Sequence, residues 1–163
     1  MVSDAVVATV VLVAVTASFP FFLYGARIMI DADVVTWGTL LYHLKFIGTG
    51  LGLTTIPLAT WMLPRIGGQL SDNLAVVHAF FGLQAYALLT FGLTGIVRIV
   101  QAKRTHDLYR NPDQDVALSD IHENADAWRK RLRIGVFGYV VLWLVAYLFG
   151  VVRYVLRYGS TLV

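Results

Sequence analysis

The 163-residue chain has no cysteine, which removes disulfides, thiolate metal sites, iron–sulfur clusters and cysteine nucleophiles together. Any redox role would have to be carried by a haem, a quinone or a flavin. Charge is also scarce: 14% of residues are Asp, Glu, Lys or Arg, against about 25% in a soluble domain. Four long stretches, residues 5–26, 34–64, 73–97 and 134–152, contain no Asp or Glu, and their one charged residue is Lys45. Without intramembrane carboxylates, a proton-driven transporter of the usual carboxylate type is disfavoured. Serine-nucleophile motifs and Walker loops are missing as well. The run Gly48-Thr49-Gly50-Leu51-Gly52 lies inside an apolar stretch with no preceding strand, so it is no nucleotide loop. His122-Glu123 begins like a zinc-protease signature, but four residues on from His122 stands Asp126 where that site needs a histidine.

What is present is apolar length. Hydrophobic residues make up 58% of the chain, and each of the four stretches can cross a bilayer. A span needs about 20 apolar residues to cover a hydrocarbon core about 30 Å thick. The expected fold is all-α, a four-helix transmembrane bundle with a cytoplasmic helical extension between helices three and four. Residues 1–163 form one polytopic membrane domain, with spans at about 6–30, 34–63, 72–100 and 133–157 and a polar segment at about 103–132. The first stretch lacks a basic n-region and carries Asp4 near its start, so it reads as a retained helix rather than a cleaved signal.

The basic residues set an orientation. Arg27, Lys45, Arg98, Lys103, Arg104, Arg110, Arg129, Lys130, Arg131 and Arg133 fall on one side of a four-span topology, and Arg65, Arg153 and Arg157 on the other. The richer side is expected in the cytoplasm, with both termini outside. Arg outnumbers Lys and Asp outnumbers Glu, a bias that suits high salt. The expected partners are the lipid bilayer and other membrane subunits, not nucleic acid.

Residues 111–114, Asn-Pro-Asp-Gln, read as a helix start, with Asn at the cap and Pro in the first turn. Beyond it Leu118, Ile121, Ala125, Trp128 and Leu132 recur at spacings of three and four, one apolar stripe on a helix. That stripe either folds back on the extended end of the third span or forms a docking face for a partner or the membrane surface. Within the spans, Gly48 and Gly52 form a small-xxx-small pair, and Gly92, Gly95, Gly135 and Gly138 punctuate the later helices. Such residues let helices approach closely in lipid, or leave space for a flat cofactor.

Histidines inside spans are costly and therefore candidates for function. His43 and His78 qualify as cofactor-binding residues, for haem b or a quinone, and the alternative for each is a hydrogen-bonded packing role. Placed on helices centred near Thr49 and Ala87, they differ in depth by about 22 Å and cannot share one haem. At the depth of His78, the fourth helix offers Val152 and the first Thr9, neither of them a ligand. No catalytic residue and no metal site is identified.

His43-Leu-Lys-Phe-Ile-Gly in the second span, Leu63-Pro64-Arg65 at its end, His78-Ala-Phe-Phe-Gly-Leu in the third and Gly92 to Gly95 beyond it resemble the helical core of cytochrome b561-type membrane cytochromes. The same residues, with the Trp128-Arg-Lys-Arg-Leu approach to the fourth span, also resemble a small four-helix family linked to haem-copper oxidase assembly. The first resemblance implies haem-binding histidines on the helices, of which this chain has the second- and third-helix positions, His43 and His78. The second implies a non-catalytic subunit or assembly factor of a respiratory electron-transfer complex.

Overall fold

A computed structural model of the chain describes residues 3–109 and 121–159, and among them every regular element is a helix. Four helices are long and apolar enough to cross a membrane: α1 (Asp4–Ile30), α2 (Trp37–Arg65), α3 (Asn73–Thr105) and α4 (Ala125–Tyr158). The expected helix start at residues 111–114, and Leu118, lie outside the described residues. The end of the polar segment, by contrast, is part of α4, which begins at Ala125 and runs unbroken into the last apolar stretch.

Local chemistry explains the helix ends. Ser3 caps α1, its hydroxyl accepting from the Val6 N–H at 3.4 Å. Asp72 caps α3, one carboxylate oxygen accepting from the N–H groups of Leu74 and Ala75 at 3.0 and 3.2 Å, which occupies two of the orphan donors of a first turn. At the other end of α3, Asp107 adopts φ 56°. The Leu108 N–H then reaches the Lys103 carbonyl and the Asp107 N–H reaches that of Arg104, a Schellman closure with Asp in the place glycine usually takes.

Proline acts differently at its two sites inside helices. α1 continues through Pro20. α2 passes Pro57 and then widens into a π-helical turn over Leu58–Met62, where the Leu63 N–H bonds to the Leu58 carbonyl. Pro57 and Pro64 each lack the N–H that an α-turn requires, and a π turn is one way a helix accommodates such a gap.

The chain divides into two compact units. Among the described residues one comprises 3–33, 38–78 and 148–159, and the other 34–37, 79–109 and 121–147. In the first, α1 and α2 run antiparallel: Phe22 packs on Gly50, and Phe46 and Ile47 pack on Gly25. In the second, α3 and α4 run antiparallel, with Leu88 against Gly138, Gly92 against Gly135, and Gly95 against Trp128 and Leu132. A Cβ at Gly135 would land on the Gly92 backbone, and one at Gly95 would stand 2.5 Å from the Trp128 carbonyl oxygen. Only glycine permits those distances. Gly92, Gly95 and Gly135 therefore bring backbones together, Gly138 is filled by the Leu88 side chain, and no slot for a flat group is left at these positions.

Large apolar side chains are abundant outside as well as inside. Ala8, Ser18, Ala75, Ala85, Ala125 and Ala146 are buried alongside Leu40, Trp128, Tyr139 and Trp143, while Phe137 is 75% exposed and Leu23 and Leu156 are each 70% exposed. Small residues at helix contacts and large apolar ones outside are what packing in lipid produces, because lipid gives no hydrophobic drive to bury the large ones.

Gly135→Val is expected to lower the stability of the detergent-solubilised protein by about 1–3 kcal/mol, since the clash is with backbone that cannot swing aside. Gly48→Ala, at a position with no atom within 4 Å, should be neutral or slightly stabilising. Thermal unfolding of the two variants side by side checks both.

Candidate functional site

Each histidine of the apolar stretches has a defined setting in the first unit. His43 Nδ1 lies 2.8 Å from the carbonyl oxygen of Gly25. A carbonyl only accepts, so Nδ1 carries a hydrogen, and in the neutral ring Nε2 is the nitrogen with the lone pair. Gly25 makes this reach feasible, because a side chain there would collide with Ile47 at 2.8 Å. Around it Tyr24, Tyr42 and Phe46 form an aromatic cluster, with ring centroids 4.5 Å apart for Tyr24 and Phe46 and 5.2 Å for Tyr42 and Phe46.

His78 is half-buried beside Gly150, where a methyl group would stand 3.2 Å from the ring Cε1 and 3.3 Å from Nε2. Three residues beyond Gly150, Arg153 donates from Nε to the second carboxylate oxygen of Asp72 at 3.1 Å and from a terminal nitrogen to the Gln69 side-chain oxygen at 3.0 Å. Nearby, the hydroxyls of Thr9 and Tyr154 are 2.7 Å apart. Arg65 pairs with Asp4 at 3.1 Å and lies over the Trp61 ring. The loop between α2 and α3 and the end of α4 thus make a polar, ion-paired rim. Counting along α1 from Gly25 to Thr9 and back along α4 from Tyr154 to Gly150, His43 and His78 are roughly 18 Å apart along the helix axes. An intrachain bis-histidine haem does not fit them.

In the second unit, the stripe before the last span is occupied by the chain itself. Ala125 (1% exposed) and Trp128 (8%) form a core with Ile99, against which Ala102, Ile121 and Leu132 pack. The His122 ring lies over Trp128 at 4.4 Å between centroids. Of the residues assigned to partner docking, Ala125 and Trp128 are therefore closed to a partner, Ile121 is half-covered, and Leu118 is outside the described residues. This corrects the docking-face reading: the indole already has its apolar partner in Ile99, and little of its surface is left for a second protein. The glycines also separate. Gly92, Gly95, Gly135 and Gly138 pack within the chain, whereas Gly48 and Gly52 have no heavy atom within 4 Å of a Cβ position, and Gly50 makes the contact in α2.

One polar residue missing from the histidine and glycine patterns stands out on α3. Gln84 is exposed, flanked on the same face by Phe80, Leu83, Ala87 and Phe91. Its amide makes no hydrogen bond among the described residues. Gln84 is one residue from the centre of the stretch 73–97, within about 2 Å of the bilayer midplane on a centred span. Apart from Asn73 at a stretch end, it is the only side-chain amide in the four apolar stretches, and that was its mark in the sequence. Further along this face Thr90, Leu93, Thr94, Val97, Arg98 and Gln101 line an open groove of about 460 Å³. The Thr90 and Thr94 hydroxyls donate to the carbonyls of Tyr86 and Phe91, so they are paired without water. A side-chain amide left unpaired in a bilayer core costs several kcal/mol.

The chain belongs to the family described as a domain of unknown function, DUF7321, whose model matches residues 4–159. No curated protein and no solved structure matches the chain.

The Arg153 hydrogen bond, with those from Ala75 and Leu74, holds the Asp72 carboxyl below its ordinary value of 3.8. A depressed carboxyl contributes stability above its unfolded pKa of about 3.9 and loses it as pH falls through the folded value. Asp72→Asn should therefore melt at a lower temperature than the parent at neutral pH, with a gap constant down to about pH 5 that closes below about pH 4. Melting curves from about pH 7 to about pH 3 test this across the range in which the carboxyl titrates.

Proposed function

We propose that this protein is an integral membrane four-helix bundle with both termini outside and the 103–132 segment in the cytoplasm, serving as a non-catalytic subunit or assembly factor of a respiratory electron-transfer complex. The observation that carries the reading is the open face of α2. A Cβ at Gly48 or Gly52, one turn apart, would have no heavy atom within 4 Å among the described residues, and the two are bordered by exposed Leu41, Leu44 and Ile56. A small-xxx-small face turned to lipid is a surface on which another membrane helix packs by close backbone approach. The short motifs shared with an oxidase-assembly family supply the respiratory context.

Gentle detergent extraction of the tagged protein should bring down larger redox subunits. Gly48→Leu combined with Gly52→Leu should reduce their recovery about tenfold, the effect of losing close helix packing worth about 1–2 kcal/mol, while leaving the bundle folded. Recovery of the chain free of any redox subunit under several mild detergents overturns the reading.

A second reading, a b-type cytochrome or quinone-interacting electron-transfer protein, is favoured by one contact. The Gly25 carbonyl fixes the tautomer of His43 and leaves Nε2 as a lone pair, the arrangement in which a histidine serves as a ligand or accepts a hydrogen bond. A second axial ligand would come from another chain. Under this reading the purified protein shows a haem Soret band that His43→Ala removes, and colourless protein from haem-replete cells counts against haem.

A further inference from the structure

We infer that two copies of this chain associate in the membrane through the outward face of α3, with the Gln84 amides of the two copies hydrogen-bonded to each other.

The Gln84 amide has an unmet need. At mid-membrane no water reaches the Gln84 side chain, and no group of the described chain bonds to it. Other hydroxyls exposed to lipid are already satisfied: Thr16, Thr49, Thr60, Thr90 and Thr94 each donate to a carbonyl three or four residues back. Arg98 lies on the same helix but just past the end of the apolar stretch 73–97, where its long side chain can reach the headgroups. The Gln84 amide, near the middle of that stretch, is on too short a side chain to do so.

A second copy meets the need most simply. A carboxamide both donates and accepts, so it complements itself, and two copies inserted in the same orientation carry Gln84 at the same depth by construction. A two-fold axis along the membrane normal then places the two amides opposite each other, the self-complementary contact of an isologous interface. Ala87, exposed one turn away, allows the helices to approach near the crossing, and Phe80, Leu83 and Phe91 flank the pair. A different protein would need a polar group at this depth on a face of matching shape. The α3 face is separate from the glycines of α2, so this inference stands or falls independently of the proposed function.

The absence of cysteine makes the test direct. Ala87→Cys in the full chain, oxidised in native membranes, should give a disulfide-linked species of twice the 18.1 kDa chain mass. Val13→Cys on α1, whose parent residue is 62% exposed, should not. In vesicles, energy transfer between two labelled populations should show that Gln84→Leu raises the dissociation constant of the dimer by roughly three- to thirty-fold, while Gln84→Asn stays close to the parent. Circular dichroism and the melting point of the monomer should be unchanged in both variants. The inference is overturned if Ala87→Cys cross-links no better than Val13→Cys, if its adduct contains a different protein, or if Gln84→Leu associates as tightly as the parent. A homodimer free of redox subunits would uphold it while sinking the proposed function.

Discussion

The backbone contact between α3 and α4 at Gly92 and Gly135 governs the second unit. A Cβ at Gly92 would stand 3.2 Å from the Gly135 Cα, so the two helices touch main chain to main chain. Once that register is set, Leu88 meets Gly138, Tyr86 meets Tyr139, and Trp128 is carried over Ile99. In lipid this kind of contact replaces the hydrophobic drive that water would supply, because dispersion between closely apposed backbones is the attraction that remains. In the first unit the same role is shared by Gly50 under Phe22, Gly25 under Ile47, and the Asp72–Arg153 pair.

Polar groups follow a common pattern, to which the buried Trp61 Nε1, with no hydrogen-bond partner among the described residues, is an exception. Threonine hydroxyls such as Thr16, Thr49 and Thr60 bond to carbonyls of their own helix, Thr9 also meets the Tyr154 hydroxyl, carboxylates and guanidiniums pair at the rim, and His43 commits Nδ1 to a carbonyl. Each arrangement answers the penalty for an unpaired polar group away from water. Gln84 alone among the amides inside the apolar stretches is turned outward without such an answer, which is why the molecule's most informative residue is neither a histidine nor a charge.

Much of the fold was legible in the one-dimensional pattern. Four apolar stretches became four helices. The cross-reading of depths that set His78 level with Val152 and Thr9 agrees with the ring lying beside Gly150 and with Thr9 bonded to Tyr154, because helix rise is regular. Faces were harder. Gly48 and Gly52 fit the packing spacing as well as Gly92 and Gly95 do, yet only the later pair is packed within the chain. Ala125 and Trp128 lie on a stripe equally suited to a partner or to the chain itself. Spacing identifies a face but carries no information about what lies opposite it.

Length and hydropathy, which are sums along the chain, determined by themselves that the elements are helices, that four of those among the described residues are long and apolar enough to cross a membrane, and roughly where each begins. Tertiary structure decided which glycine touches backbone, that Trp128 is spent on an internal core, that His43 holds its proton on Nδ1, and that Gln84 faces outward. Those outcomes depend on the rotation of each helix about its own axis, and that rotation is set by contacts between residues far apart in sequence, which no local pattern encodes.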